Sequence, residues 1–270
     1  MKTRNALKEI SETYNKINVV INVGTNVVTN EENNYAHTML CKSGYNRKQR
    51  KTERLYIIIM IDIHRIVSGN VNCYIVAKNG KAILIDTGRR KYREKILQKC
   101  REFHVSLIVL THGHMDHCQN ASYLAGALQV PIAMSEKDGN LIPDNRKQAL
   151  SARTFLGKIV LAVSLSSFEK DSMETFEPTM YLKHGDDLSS YGVDARIVEL
   201  PGHTQGSIGV RIEDTLFVGD ALMNMFYPTI SMLYTDERKM LKSAEYISEL
   251  GEQTIYFGHG KPKGNRKWVR

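Results

Sequence analysis

The run His112-Gly113-His114-Met115-Asp116-His117 constrains this chain more than any other feature it has. Four side chains that can bind a metal fall within six consecutive residues. A stretch that is apolar but for Ser106, 105–110, leads into them through Thr111; so short an apolar run reads as a buried strand. The motif therefore begins where a strand ends. Two histidines one residue apart on an extended turn can aim both imidazoles at one ion. Asp116 and His117 follow at the start of a helix expected to bury Ala121, Leu124, Ala125 and Leu128, and they point toward a second ion. Asp116 also stands where a carboxylate caps free N–H groups.

Three more candidate ligands repeat one local pattern. His203 follows Leu200-Pro201-Gly202, Asp220 follows Leu216-Phe217-Val218-Gly219, and His259 follows Ile255-Tyr256-Phe257-Gly258. In each case an apolar strand delivers the ligand and a glycine lets the backbone turn to present it. Neutral imidazole and carboxylate suit zinc, with iron or manganese as alternatives. No one segment supplies a whole site, so metal binding and folding are coupled. His37, His64, His104 and His184 lie outside the pattern and read as structural or surface residues, and Cys118 as a buried thiol.

The rest of the chain supplies the frame. Strands are expected at 55–61, 71–77, 82–86, 131–134, 195–200, 207–212, 215–219 and 254–257. Residues 89–102 have helical spacing with Tyr92, Ile96, Leu97 and Cys100 on one face. Further helices are expected near 147–165 and over 236–250, the last capped by Thr235 or Asp236. Strands followed by helices, twice over, imply two sheets packed face to face with helices outside. At 270 residues the chain fits one α/β domain with an appendage. Residues 1–54, rich in Asn and Lys, read as a poorly ordered basic extension, and 55–270 as the domain that carries the motifs.

Charge is unevenly placed. The net +8 arises from an excess of five bases in 1–54 and five in 261–270, while 55–260 carry 22 bases and 24 acids. A basic groove around the site, and with it a nucleic-acid partner, is not indicated. The four cysteines, Cys41, Cys73, Cys100 and Cys118, form no CxxC pair and suit a reducing compartment. No apolar run is long enough to span a bilayer. The expectation is a cytoplasmic protein with a small-molecule substrate, no membrane association and an open oligomeric state.

Taken in order, Asp86-Thr87-Gly88, the run from His112 to His117, Pro201-Gly202-His203-Thr204-Gln205-Gly206-Ser207, Phe217-Val218-Gly219-Asp220 and Gly258-His259-Gly260 make the chain similar to the metallo-β-lactamase superfamily over residues 55–262. The resemblance implies an α/β fold, an αββα four-layer sandwich of two mixed β-sheets with helices outside and metals at one edge. It implies that His112, His114 and His203 hold a first metal. Asp116, His117 and His259 hold a second, Asp220 bridges the two, and Asp86 fixes the ligand loop.

Variants of the pattern narrow the chemistry. Flavodiiron relatives carry Glu where His114 stands, and β-lactamases proper lack the carboxylate seen as Asp220. The full set resembles the glyoxalase II, lactonase and RNase Z branch. Glyoxalase II proper has a C-terminal helical domain, whereas this chain ends eleven residues after His259. RNase Z proper has a basic arm, and β-CASP nucleases a large insert. The expectation is a dinuclear zinc hydrolase of an ester, thioester or lactone, its two ions about 3.5–4 Å apart around a bridging hydroxide. Asp116 and Asp220 are the candidate catalytic carboxylates as well as ligands, and either could shuttle a proton. The alternatives are an RNase Z-like phosphodiesterase, supported only by the basic ends, and a mononuclear iron oxygenase of the same fold. Met223 to Tyr227 reads either as core or as an adaptable pocket wall, and Tyr227 or Tyr234 as a group assisting the leaving group.

Overall fold

A computed structural model of the protein describes residues 61–269 and, before them, the backbone of four short strands. The chain divides into two compact units, Met1–His64 and Arg65–Arg270. In the first, β1 (Val19–Ile21), β2 (Val27–Asn30), β3 (Thr38–Cys41) and β4 (Tyr56–Ile58) form a four-stranded sheet in chain order, each antiparallel to the next. The expected poor order of 1–54 otherwise falls on residues outside those described, as does His37.

Two mixed sheets follow. Strands β5 (Asp62–Ser68), β6 (Val71–Lys78), β7 (Lys81–Ile85), β8 (Val105–Val109), β9 (Ile132–Met134) and β10 (Met180–Tyr181) lie in the order β10-β9-β8-β7-β6-β5. In that sheet β6 and β7 are antiparallel, while β7, β8, β9 and β10 run parallel. Strands β11 (Ala195–Glu199), β12 (Ile208–Ile212) and β13 (Thr215–Gly219) form the second sheet with β16 (Thr254–Phe257) and β17 (Lys263–Gly264). There β13 and β16 are parallel and the other pairs antiparallel. Between them in the chain, β14 (Leu222–Met223) and β15 (Thr229–Ile230) make a small hairpin.

The sheets meet through aromatic rings. Tyr74 of β6 stands edge-on to Phe217 of β13 at 5.1 Å and to Tyr256 of β16 at 5.5 Å. Its hydroxyl donates to the Phe257 carbonyl at 2.6 Å, so the phenol is buried with its polar tip satisfied. Helices cover the outer faces. Ile96, Leu97 and Cys100 of α1 (Arg93–Arg101), with Ala121 and Leu124 of α3 (Ala121–Leu128), pack on Ile75, Leu84 and Ile108. On the other side Ala244 and Ile247 of α5 (Glu237–Glu249) pack on Leu216, Ile255 and Phe257. Each fully buried Leu, Ile or Phe contributes roughly 1.5–3 kcal/mol. The expected αββα sandwich is the fold, and the apolar faces of α1 and α3 are those read from their spacing.

Three local expectations need correction. The strand placed at 55–61 is β4, only Tyr56–Ile58 and in the first unit, and β5 begins beyond the expected span at Asp62. The helix placed at 147–165 is α4 (Phe155–Lys170); its start is set by Thr154, whose Oγ1 accepts the Gly157 N–H at 3.0 Å, a capping bond that spacing alone did not reveal. Asp116 does not cap α2 (Met115–Cys118); the Met115 N–H is taken instead by Asn145 Oδ1 at 2.7 Å. The cap of α5 is Asp236, accepting from the Lys239 N–H. No helix among the described residues is long and apolar enough to cross a membrane.

Candidate metal centre

The parallel strands β7 and β8 of one sheet, and β13 and β16 of the other, deliver their C-terminal ends to one place. Asp86 follows β7, the His112 to His117 run follows β8, His203 follows β11, Asp220 follows β13 and His259 follows β16. The structure brings all seven expected ligands together. Three groups could each hold a cation, their ligand atoms all within 4.8 Å of one another: His112, His114 and His203; His112, His117 and Asp220; and Asp116, His117 and His259. Asp220 lies between the outer groups, with Oδ2 3.2 Å from His259 Nε2 and 3.7 Å from His203 Nε2, and Oδ1 3.5 Å from His117 Nε2. His64, His104 and His184 are elsewhere; His64, for instance, pairs with Asp62 at 2.6 Å.

Four of the five imidazoles are turned by the partner of the outward nitrogen. His117 Nδ1 lies 2.7 Å from Asp86 Oδ2, His203 Nδ1 2.9 Å from the Leu233 carbonyl, and His259 Nδ1 2.7 Å from the Asn70 carbonyl. These acceptors require a proton on Nδ1, which leaves the Nε2 lone pair facing the centre. His112 Nδ1 meets Thr111 Oγ1 at 3.1 Å, and Thr111 in turn donates to Asp86. His114 faces inward through Nδ1, 2.9 Å from His203 Nε2. The outcome is a set of buried atoms at the centre with no hydrogen-bond partner: His112 Nε2, His117 Nε2 and Asp220 Oδ1. An unpaired buried polar atom costs about 1–3 kcal/mol. Several gathered in one spot fit divalent cations, which use lone pairs that nothing else there can use.

Titration follows the same crowding. Burial, and then the neighbouring His117, His203 and His114, hold His112 well below the ordinary imidazole range. Burial and His203 take His114 down to about 3. Burial opposes the charged form of His117 too, but Asp86, Asp220 and Asp116 together bring it up to about 10. For Asp220 burial is again opposed, here by His259 and His117, and its carboxyl is held well below the usual range. Without metal the centre is thus a mix of neutral rings and ion pairs.

Two carboxylates outside the ligand set build the walls. Asp86, expected from the resemblance, accepts from the Thr111 N–H at 2.8 Å as well as from Thr111 Oγ1 and His117. It does so at φ +59°, a left-handed conformation unusual for a residue other than glycine. The second, Asp138, went unrecognised in the sequence. It is fully buried and accepts from the Gly113 N–H at 3.0 Å, Thr204 Oγ1 at 2.6 Å, the Gly206 N–H at 2.7 Å and Gln148 Nε2 at 3.0 Å. It therefore ties the loop carrying His112 and His114 to the loop carrying His203. Gly258 is required for space, since a Cβ there would collide with Asp220 Oδ1 and the His117 ring.

The remaining candidates divide. Cys118 is buried and donates its S–H to the His112 carbonyl at 3.0 Å. Leu222 and Met223 are core, whereas Phe226 and Tyr227 are exposed, so the stretch expected to be core or pocket wall is partly each. The Tyr234 hydroxyl lies 3.5 Å from Glu237 of α5.

Comparison with known proteins agrees with this geometry. The sequence pattern of the metallo-beta-lactamase superfamily matches residues 67–259. An uncharacterised protein of Aquifex aeolicus is 33% identical over 156 residues, covering 56% of this chain and 65% of its own length. Hydroxyacylglutathione hydrolase 1 of Vibrio vulnificus is 27% identical over 197 residues, covering 73% and 64%. The chain thus matches just under two thirds of the length of these two relatives. The solved structure of BLEG-1, a B3 metallo-beta-lactamase, superposes with a TM-score of 0.60 at 21% identity, covering 75% of this chain and 93% of that one, a likeness of fold. With its strand order, its His/Asp cluster and this match in register, the chain belongs to the metallo-β-lactamase superfamily.

Proposed function

We propose that this chain is a dinuclear zinc hydrolase of an ester, thioester or lactone. The observation that carries the reading is the position of Asp220 between two separate three-residue groups, each offering one buried, unpartnered imidazole nitrogen, His112 Nε2 in the first and His117 Nε2 in the second. His112, His114 and His203 would hold one ion. Asp116, His117 and His259 would hold the other, with Asp220 between them. Bound there, two divalent cations supply Lewis acidity toward a carbonyl and a hydroxide nucleophile at neutral pH.

The chain's own residues do the rest. Asp86, Leu233 and Asn70 fix the proton on Nδ1 of His117, His203 and His259, so these rings enter the reaction already oriented. Asp220 is almost closed off, with 5% of its side chain exposed, and acts to set spacing; Asp116 keeps 18%. Asp116 is therefore the carboxylate that faces the open side and can move a proton at Oδ2 toward the leaving group. The hydrolase of Vibrio vulnificus acts, by its name, on a hydroxyacylglutathione, an acyl compound of the class proposed here.

The test is elemental analysis with a substrate panel. Protein reconstituted with zinc should contain two ions per chain and hydrolyse thioesters or lactones in preference to phosphodiesters and β-lactams. A stoichiometry of one that does not rise with excess zinc would end the dinuclear reading. A single tightly held iron would favour the oxygenase alternative instead.

A further inference from the structure

The two ends of the centre differ in chemistry. At the His114 end stands an aromatic ring. Phe168 of α4 lies 5.4 Å from the His114 ring, centroid to centroid, tilted by 34°. Leu165, one turn earlier, is 41% exposed, and between Phe155 and Phe168 only Lys158 is charged. At the opposite end stands a cation. Arg89 Nη2 is 3.5 Å from Asp116 Oδ2, and Asp116 shares its group with His117 and His259. The Arg89 side chain keeps 32% exposure, so it is accessible as well as close.

The guanidinium is held in place yet mostly unspent. Its Nε donates to Asn70 Oδ1 at 3.2 Å, and the backbone carbonyl of the same Asn70 takes His259 Nδ1. Among the described residues this is the one hydrogen bond the Arg89 side chain donates, out of five N–H groups. Holding Asp116 does not explain it. A neutral donor would orient that carboxylate equally well, whereas a positive charge beside a metal ligand opposes the binding of a second cation. The opposition is relieved once an anion sits against both. The four N–H groups of its two terminal nitrogens, which make no hydrogen bond although Nη2 lies 3.5 Å from Asp116, form a rigid fork that suits an anionic oxygen group such as a carboxylate.

We infer that the substrate is amphiphilic, with an anionic oxygen group bound by Arg89 at the Asp116–His259 end and an apolar acyl portion against Phe168 at the His114 end. The inference rests on the acyl-hydrolase reading and narrows its substrate class. Arg89 and Phe168 are then specificity-determining residues, one for each end of the molecule.

The test uses the zinc-loaded full chain and stable amide analogues, so that binding is read without turnover. N-hexanoyl-β-alanine and its carboxamide, N-hexanoyl-β-alaninamide, differ only at the anionic end; N-acetyl-β-alanine lacks the apolar portion. By calorimetry the carboxylate should bind at least tenfold more tightly than the carboxamide, and Arg89→Met should abolish that preference while zinc content stays unchanged. Phe168→Ala should reduce the preference for hexanoyl over acetyl severalfold and leave the carboxylate preference intact. Equal binding of the first pair by wild type overturns the inference. So does a carboxylate preference that survives Arg89→Met, which would belong to the metal. Loss of zinc in Arg89→Met overturns it as well, making Arg89 a positioning residue for Asp116. The corresponding thioesters, S-hexanoyl-3-mercaptopropionate and its amide, separate this inference from the reading beneath it. Hydrolysis of both at equal efficiency sinks the inference alone. The predicted binding preferences with no hydrolysis sink the acyl-hydrolase reading alone.

Discussion

Replacing Asp220 with asparagine keeps the shape of the side chain and removes its charge, which makes it the sharpest probe of the proposed bridge. The carboxylate oxygens lie 3.2–3.7 Å from the inward nitrogens of His259, His117 and His203, so a cation in either outer group sits beside it. Unit charges about 4 Å apart interact by roughly 4 kcal/mol at an effective dielectric near 20, and a divalent ion roughly doubles this. Asparagine retains one ligand oxygen, and water recovers much of the rest. If only about one sixth remains as a net loss, the second zinc is weakened by about 1.4 kcal/mol, or tenfold. The assay is a zinc titration against a competing chelator, with thioester hydrolysis followed in parallel, for wild type and Asp220→Asn side by side. Binding of the first ion should change less than binding of the second, and activity at limiting zinc should fall with the second. Overlapping curves for the two proteins would show that Asp220 is no ligand, and would remove the argument that separates this chain from the β-lactamases proper.

Three further outcomes are expected. Asp138→Asn puts an amide N–H₂ where the Gly113 N–H and the Thr204 hydroxyl now donate; stranding one buried donor costs about 1–3 kcal/mol, so Tm should drop and the affinity for the first zinc should weaken, and an unchanged Tm would refute the clamp. A chain beginning near Arg54 should fold, bind the same amount of zinc and keep its turnover; insolubility would move the domain boundary. The metal-free protein should lose stability on acidification below pH 6.5: the folded state holds His114 at about 3 while the unfolded chain takes up its proton near 6.5, so this group alone removes about 1.4 kcal/mol per pH unit until its folded pKa is reached. His117, protonated throughout this range in the folded state, opposes this loss only near pH 6.5 and adds no slope further down, where the unfolded chain is protonated too; equal Tm values at pH 6.5 and 5 would contradict the account.

The candidate ligands were legible in the sequence because each is announced locally. His203, Asp220 and His259 follow an apolar strand and a glycine, and the run from His112 to His117 needs no tertiary information to be noticed. The helices α1, α3 and α5 were legible for a related reason: each buries one face, and a single buried face leaves a periodic trace. What escaped has no such trace. The helix α4 is apolar on nearly every side, with Phe155 81% and Val163 66% exposed, so periodicity could not place its ends. Asp138 sits in a 3₁₀ turn among ordinary polar residues, and its partners lie 10, 25, 66 and 68 residues away in the sequence. Arg89 next to Asp86-Thr87-Gly88 reads as a surface residue until Asp116 is brought beside it.

The two buried carboxylates outside the candidate ligand set, Asp86 and Asp138, hold the loops of the centre together although its imidazoles disfavour one another's protons. Five imidazoles and two carboxylates packed together would spread apart if each were held only by its own strand. Asp86 joins β7 to the loop after β8 through Thr111 and His117, and does so in a backbone conformation that costs of order 1–3 kcal/mol. Asp138 joins that same loop, at Gly113, to the loop after β11, at Thr204 and Gly206. The first bond set lies within one sheet's edge, and the second crosses to the loops of the other. Each carboxylate accepts at least three hydrogen bonds, so its burial is compensated whether or not a cation is bound. Among the candidate ligands, by contrast, His112 Nε2, His117 Nε2 and Asp220 Oδ1 stay without partners. The fold therefore secures its walls with carboxylates whose hydrogen bonds are complete in the metal-free protein, while several atoms that face the centre stay incomplete, which places unsatisfied free energy where a cation can relieve it.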